Sequence, residues 1–178
     1  MGALGKTERA LFLWGCFMIF VTVGSQLPFD RLVMAVDKWS EGNKEQDIFA
    51  QIGQSDYSPA NFKFCASMPP SEYNYFFDKA SLIISHVGMG TIISALEGNK
   101  HLLLLPRLAG LGEVRNDHQL ATAKYFSNYT NITLVNNEGE LLSAIDFLVN
   151  HKSLVEKKIS MPPVSDTLIE AIKEYANS

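Results

Sequence analysis

The sequence predicts an α/β domain, a parallel sheet with helices on both faces, and three observations carry that prediction. Short apolar runs at residues 19–23, 48–52, 82–84, 101–105 and 132–135 alternate with segments of helical period, the spacing of strand-helix-strand crossovers. The runs are apolar almost throughout instead of alternating, as in strands covered on both sides. The stretch Leu82-Ile83-Ile84-Ser85-His86-Val87-Gly88-Met89-Gly90-Thr91 then reads as a strand, a glycine turn and the start of a helix. With 178 residues, 47% of them hydrophobic and 19% charged, the chain fits one domain with a substantial core.

Residues 1–17 are read as an N-terminal extension or misassigned start, and residues 18–178 as the domain. Lys6 and Arg9 precede an apolar run, 10–21, that superficially resembles a signal peptide or anchor. The run is too short to span a bilayer, no small-x-small cleavage site follows at once, and it merges into the first strand. A membrane-contacting segment is the alternative reading. In residues 29–40, Phe29, Leu32, Val33, Val36 and Trp39 recur at helical spacing, with Asp30 near the positive end of the dipole. Strands are expected at 47–53 and 62–65, and a helix at 71–80 capped by Ser71. A helix at 91–97 ends at Gly98-Asn99. The run 101–106 is the most apolar strand and therefore interior. Beyond it lies the polar, glycine-bearing loop 107–116, then a helix at 117–126, a strand at 132–135 and helices at 137–149 and 166–176.

A net charge of −4 with no Lys/Arg run gives no reason to expect nucleic acid as a partner, while a small anionic metabolite stays compatible. Cys16 and Cys65 have no metal-ligand spacing and read as thiols in a reducing compartment, so no metal is expected. The two Asn-x-Thr triplets at Asn128 and Asn131 are treated as chance matches.

In parallel sheets of this kind ligands sit beyond the carboxyl ends of the strands, which puts the loops after Val23, Ser85 and Pro106 on one rim. The turn His86–Thr91 is a candidate anion site: Gly88 and Gly90 allow close approach to the backbone, and the helix start offers unpaired N–H groups and a favourable dipole. The blander reading is that a Gly-x-Gly-Thr turn is an ordinary way to leave a strand. Likewise His86 reads as a ligand contact or a core histidine, and Asp117 as a contact or merely an N-cap. His118 reads as structural, and Tyr73, Tyr75, Phe76 and Phe77 as packing or a partner surface. No general base for an acceptor stands out.

The motifs Phe20-Val21-Thr22-Val23-Gly24-Ser25 with Pro28-Phe29-Asp30-Arg31-Leu32, Ile48–Gly53 of the second strand region, Ile84–Thr91 and Arg115-Asn116-Asp117-His118-Gln119 together resemble the donor-binding half of GT-B glycosyltransferases. The likeness, from about Met18 to about Phe126, is to the stand-alone soluble subunit of the two-part dolichol-pathway N-acetylglucosaminyltransferase and its bacterial exopolysaccharide relatives of the PssE and EpsE type. The form of 115–119 is closer to the bacterial members. The resemblance implies a Rossmann-like single GT-B half that takes a UDP-sugar as donor substrate, needs no cofactor or metal, and works with a separate membrane-anchored, acceptor-binding subunit on a lipid-linked saccharide at the cytoplasmic face. It implies that Gly24 and Ser25 line the diphosphate side, that His86, Gly88, Met89, Gly90 and Thr91 form the phosphate contact, that Asp117 and Gln119 are the acid-and-amide pair reading sugar hydroxyls, and that Asn116 belongs to the donor site. Where many relatives carry a ribose-binding Glu this chain has Ser94; Glu97, one turn on, either replaces it or is a solvated helix residue. A non-catalytic UDP-sugar-binding scaffold is the rival reading. A sugar epimerase of the same architecture is disfavoured because such enzymes carry both halves in one longer chain.

Overall fold

The computed structural model describes residues 17–25, 27–115 and 118–156. The expected segment at 1–16 and the helix at 166–176 lie outside them. Six strands form one parallel sheet: β1 (Met18–Thr22), β2 (Asp47–Gln51), β3 (Lys63–Cys65), β4 (Leu82–Ser85), β5 (His101–Leu104) and β6 (Ile132–Leu134), in the spatial order β3-β2-β1-β4-β5-β6. The helices are α1 (Asp30–Glu41), α2 (Pro70–Lys79), α3 (Met89–Glu97), α4 (His118–Phe126), α5 (Glu138–Asn150) and the short α6 (Lys152–Val155). The winding proceeds outward from β1 through β2 to β3, then returns to β4 on its other side and runs on to β6. The crevice between the carboxyl ends of β1 and β4 is therefore the switch point of the sheet.

Period-two geometry divides each strand between two apolar layers. On one face Ile19, Val21 and Val23, with Ile84, Leu103 and Leu105, meet Phe29, Leu32, Val33 and Val36 of the α1 region and Leu141, Ile145 and Leu148 of α5. On the other, Phe20, Ile83, Leu102 and Leu104 meet Phe77 of α2, Ile92, Ala95 and Leu96 of α3, and Ala123 and Phe126 of α4. The uniformly apolar runs thus reflect burial on both sides.

Two expected helix starts are corrected. Helix α2 begins at Pro70, with Pro69 at the cap position and no side-chain cap bond, so Ser71 lies inside the first turn. A proline's fixed φ already suits the first helical position. Helix α3 begins at Met89, two residues before Thr91, and Gly88 is its cap residue. By contrast α5 starts as expected: Asn137 accepts from the Glu140 amide at 2.9 Å, and Glu140 in turn accepts from the Asn136 amide at 2.8 Å.

The loop between β2 and β3 is fastened to α1 by a buried carboxylate. Asp37 accepts from the Tyr57 hydroxyl at 2.6 Å, from the Asn61 amide at 2.9 Å and from the Ala60 amide at 3.1 Å. Burial alone would push the Asp37 pKa up, but these donors outweigh it and hold the carboxyl below its ordinary value of 3.8. A carboxylate whose pKa is lowered by folding adds stability that is complete above its unfolded value and is lost as pH falls through the folded one. Asp37→Asn is therefore expected to lose about 1–3 kcal/mol at pH 7. The gap between variant and wild type should narrow in urea melts as pH falls below about 4.

Candidate functional site at the switch point

Strand β1 delivers its chain into Val23-Gly24-Ser25, and β4 delivers His86-Val87-Gly88 into α3. Gly24 has φ +79°, a conformation that side-chain-bearing residues rarely adopt. A Cβ on Gly24 would fall 2.8 Å from His86 Cε1, and one on Gly88 would fall 2.6 Å from His86 Nε2. The imidazole is thus seated between two glycines, one from each strand end, and both positions are glycine because the ring occupies the space a side chain would need. The space beside Gly88 belongs to His86, whereas a Cβ on Gly90 would meet nothing within 4 Å. The approach to the main chain is open at Gly90.

Hydrogen bonds below the turn tie three strand ends together. Ser85 Oγ donates to Thr22 O at 2.8 Å, Thr22 Oγ1 donates to Gln51 Oε1 at 2.9 Å, and Gln51 Nε2 donates to Gly24 O at 3.0 Å and Ala66 O at 3.1 Å. Ser85 Oγ also lies 3.4 Å from His86 Nδ1. Burial, reinforced by the positive field of Arg107, lowers the His86 pKa to about 4. At neutral pH the ring is uncharged and adds no charge to the turn, where the first-turn amides of α3 have no intrahelical acceptor.

The loop after β5 forms the third wall. Arg107 Nη2 donates to Val23 O at 2.8 Å and Leu27 O at 2.7 Å, and Nη1 donates to Pro28 O at 3.0 Å, so its guanidinium spans the loop that carries Gly24. In the opposite sense, Arg31 of α1 grips this third loop: its Nε and Nη2 donate to Glu113 at 2.8 and 2.9 Å, and Nη2 also donates to Pro106 O at 2.8 Å. Hydrogen bonding to Glu113 raises the Arg31 pKa against the cost of burial. Both guanidiniums lie over the Phe29 ring, at 5.2 Å for Arg31 and 4.9 Å for Arg107.

Of the residues singled out in the sequence, Gly24 and Gly88 both pack against the His86 ring, and Ser25, next to Gly24, is exposed. The Met89 side chain is in the core, so only its main chain faces the turn. Gly90 is exposed and Thr91 half-buried. Ser94 and Glu97 continue the exposed face of α3 away from the rim, with Glu97 at the far end of a helix about 12 Å long. Gln119 joins the rim through Arg107, whose amide donates to its Oε1 at 3.1 Å. Asn116 and Asp117 lie outside the described residues. Thr22, Gln51, Arg31, Arg107 and Glu113 were not among the site residues expected from the sequence. A polar Gln51 ending an apolar strand and a charge directly after Pro106 were the available signals. Among the described residues no group of three or more His, Cys, Asp or Glu is placed to hold a metal, and no helix is long and apolar enough to cross a membrane.

If the His86 ring is what excludes side chains here, Gly88→Ala should displace it and cost about 1–3 kcal/mol in a denaturant melt. In a His86→Ala background the same substitution should cost less than about 1 kcal/mol, a non-additivity that a double-mutant cycle measures.

No curated protein sequence matches the chain significantly. Among solved structures the chain is similar to the kitacinnamycin glycotransferase, at 17% identity and a TM-score of 0.60 over 89% of this chain and 40% of that one. It is similar to ALG13 in its NMR solution structure, at 18% identity and a TM-score of 0.58 over 88% of this chain and 94% of that one. The UDP-GlcNAc 2-epimerase of Neisseria meningitidis, solved bound to UDP-GlcNAc, is similar at 11% identity and a TM-score of 0.60, over 97% of this chain and 48% of that one. The chain therefore spans half or less of the glycotransferase and the epimerase, and nearly all of ALG13. At these identities the likeness is one of fold, that of a single Rossmann-like GT-B half. Residues 18–168 match the model of the glycosyltransferase family 28 C-terminal domain, and with that match spanning most of the sequence the chain belongs to this glycosyltransferase family.

Proposed function

We propose that the chain is the donor-binding subunit of a two-component glycosyltransferase that moves a hexose from a UDP-sugar to a lipid-linked saccharide in exopolysaccharide, capsule or glycolipid assembly. The observation that carries this reading is the open helix start at Gly90 beside the Gly24–His86–Gly88 contact, at the switch point of a sheet whose family is one of glycosyltransferases. Main-chain amides at that start would hold the diphosphate, with Gly24, Ser25 and Thr91 beside it and Gln119, Asn116 and Asp117 toward the sugar. The acceptor hydroxyl would attack the anomeric carbon with inversion as the bond to the UDP oxygen breaks. A base on a second, membrane-anchored chain of the PssD or EpsD kind would take the proton. That partner would hold this subunit at the cytoplasmic face of the membrane. A non-catalytic UDP-sugar-binding scaffold is the alternative, and the transfer assay separates the two.

Calorimetric titration with UDP and UDP-hexoses is expected to give saturable binding, with transfer to a lipid acceptor only when the neighbouring membrane protein is present. Binding without transfer in either case would favour the scaffold. Gly90→Trp places a bulky ring where nothing of the chain lies within 4 Å. It should weaken UDP binding at least tenfold, about 1.4 kcal/mol, while the thermal midpoint stays close to that of the wild type.

A further inference from the structure

We propose that Arg107 is a positioning residue that pre-forms the donor cleft, its guanidinium holding the Gly24–Ser25 loop in the binding shape and setting a fixed positive charge behind His86. The inference rests on the donor-binding reading above and concerns a residue that makes no part of the glycine turn itself.

Three features single Arg107 out. It is 2% exposed, yet among the described residues two of its nitrogens make all of its side-chain hydrogen bonds, and each goes to a main-chain carbonyl of residues 23 to 28. A loop with a left-handed Gly24 at its tip is thus fixed by one planar fork, a geometry that a lysine ammonium on a flexible stem does not reproduce. Its charge is not paired with a carboxylate at ion-pair distance among the described residues. Glu113, the acid whose field reaches it, is committed to Arg31 and the Leu108 amide. Arg107 Nε is buried with no hydrogen-bond partner among the described residues. A buried cation so incompletely compensated is costly to maintain in a domain selected for stability alone. It becomes favourable when an anion is bound nearby, and its field already reaches the imidazole that sits between Gly24 and Gly88.

The two roles separate by substitution. Arg107→Lys keeps the charge and loses the fork; Arg107→Met loses both. Calorimetric titration with UDP, UMP and uridine is carried out on the full chain, alongside NMR titration of the His86 ring carbon. For Arg107→Lys, UDP binding should weaken about tenfold, while His86 still titrates near its wild-type value of about 4. For Arg107→Met, UDP should weaken by about a hundredfold and uridine by far less, and His86 should titrate at higher pH because a nearby positive charge has gone. A purely structural residue would weaken UDP and uridine alike and leave the His86 titration in place, and that result would overturn the proposal. Wild-type affinity for UDP in Arg107→Lys would also overturn the role of the fork. If Arg107→Met does not fold, the Lys variant still decides by its nucleotide affinities: a loss confined to UDP supports the fork, and equal losses for UDP and uridine overturn it. Absence of UDP binding by the wild type would instead sink the donor-binding reading, which keeps the two failures distinct.

Discussion

The seating of one neutral imidazole between two glycines is the constraint from which the rim of this domain follows. His86 ends β4 and Gly24 follows β1, so the contact exists only because those strands are neighbours although separated in sequence by β2 and β3. It fixes glycine at two positions, one of them with φ +79°, and it requires the bonds through Ser85, Thr22 and Gln51 that hold the strand ends at one level. The start of α3 follows directly, and its first-turn amides have no intrahelical acceptor. Under the donor-binding reading, the anion site proposed for the crevice would follow from strand order.

A second layer of organisation is the exchange of arginines between the two loops that flank the crevice. Arg31 leaves α1 to hold Glu113 and Pro106 O, while Arg107 leaves the loop after β5 to hold the carbonyls before α1, and Phe29 lies beneath both. Neither loop keeps its shape without the other. In a parallel sheet, where loops at the carboxyl ends carry function, this is a way to make irregular backbone rigid without extending secondary structure into it.

Most of the fold was legible in the sequence because burial on both faces writes itself as unbroken apolar runs; 19–23, 82–84 and 101–105 all fall in or directly beside strands. Glycine spacing marked the turn at 86–90 at a strand's carboxyl end, while its place at the switch point came only with the strand order. Helix starts were harder to read. At Pro70 a fixed φ did the work expected of the Ser71 hydroxyl, and at Met89 an apolar side chain entered the core two residues earlier than the hydroxyl of Thr91 suggested. The Arg31–Glu113 and Arg107 networks were not legible because they join residues about 80 positions apart and depend on strand order, which periodicity does not encode. Gln51 looked like an ordinary strand end, and only its bonds to Thr22, Gly24 and Ala66 reveal its role.

The separation of 84 residues between Val23 and the guanidinium that anchors it has a bearing on how the molecule is made. As the polypeptide leaves the ribosome, the first loop emerges long before its anchor, and closing so large a gap carries an entropic cost that only later contacts repay. The crevice is therefore completed near the end of folding, once β5 has docked beside β4. A chain ending before that strand would lack Arg107 and with it the anchor of the first loop.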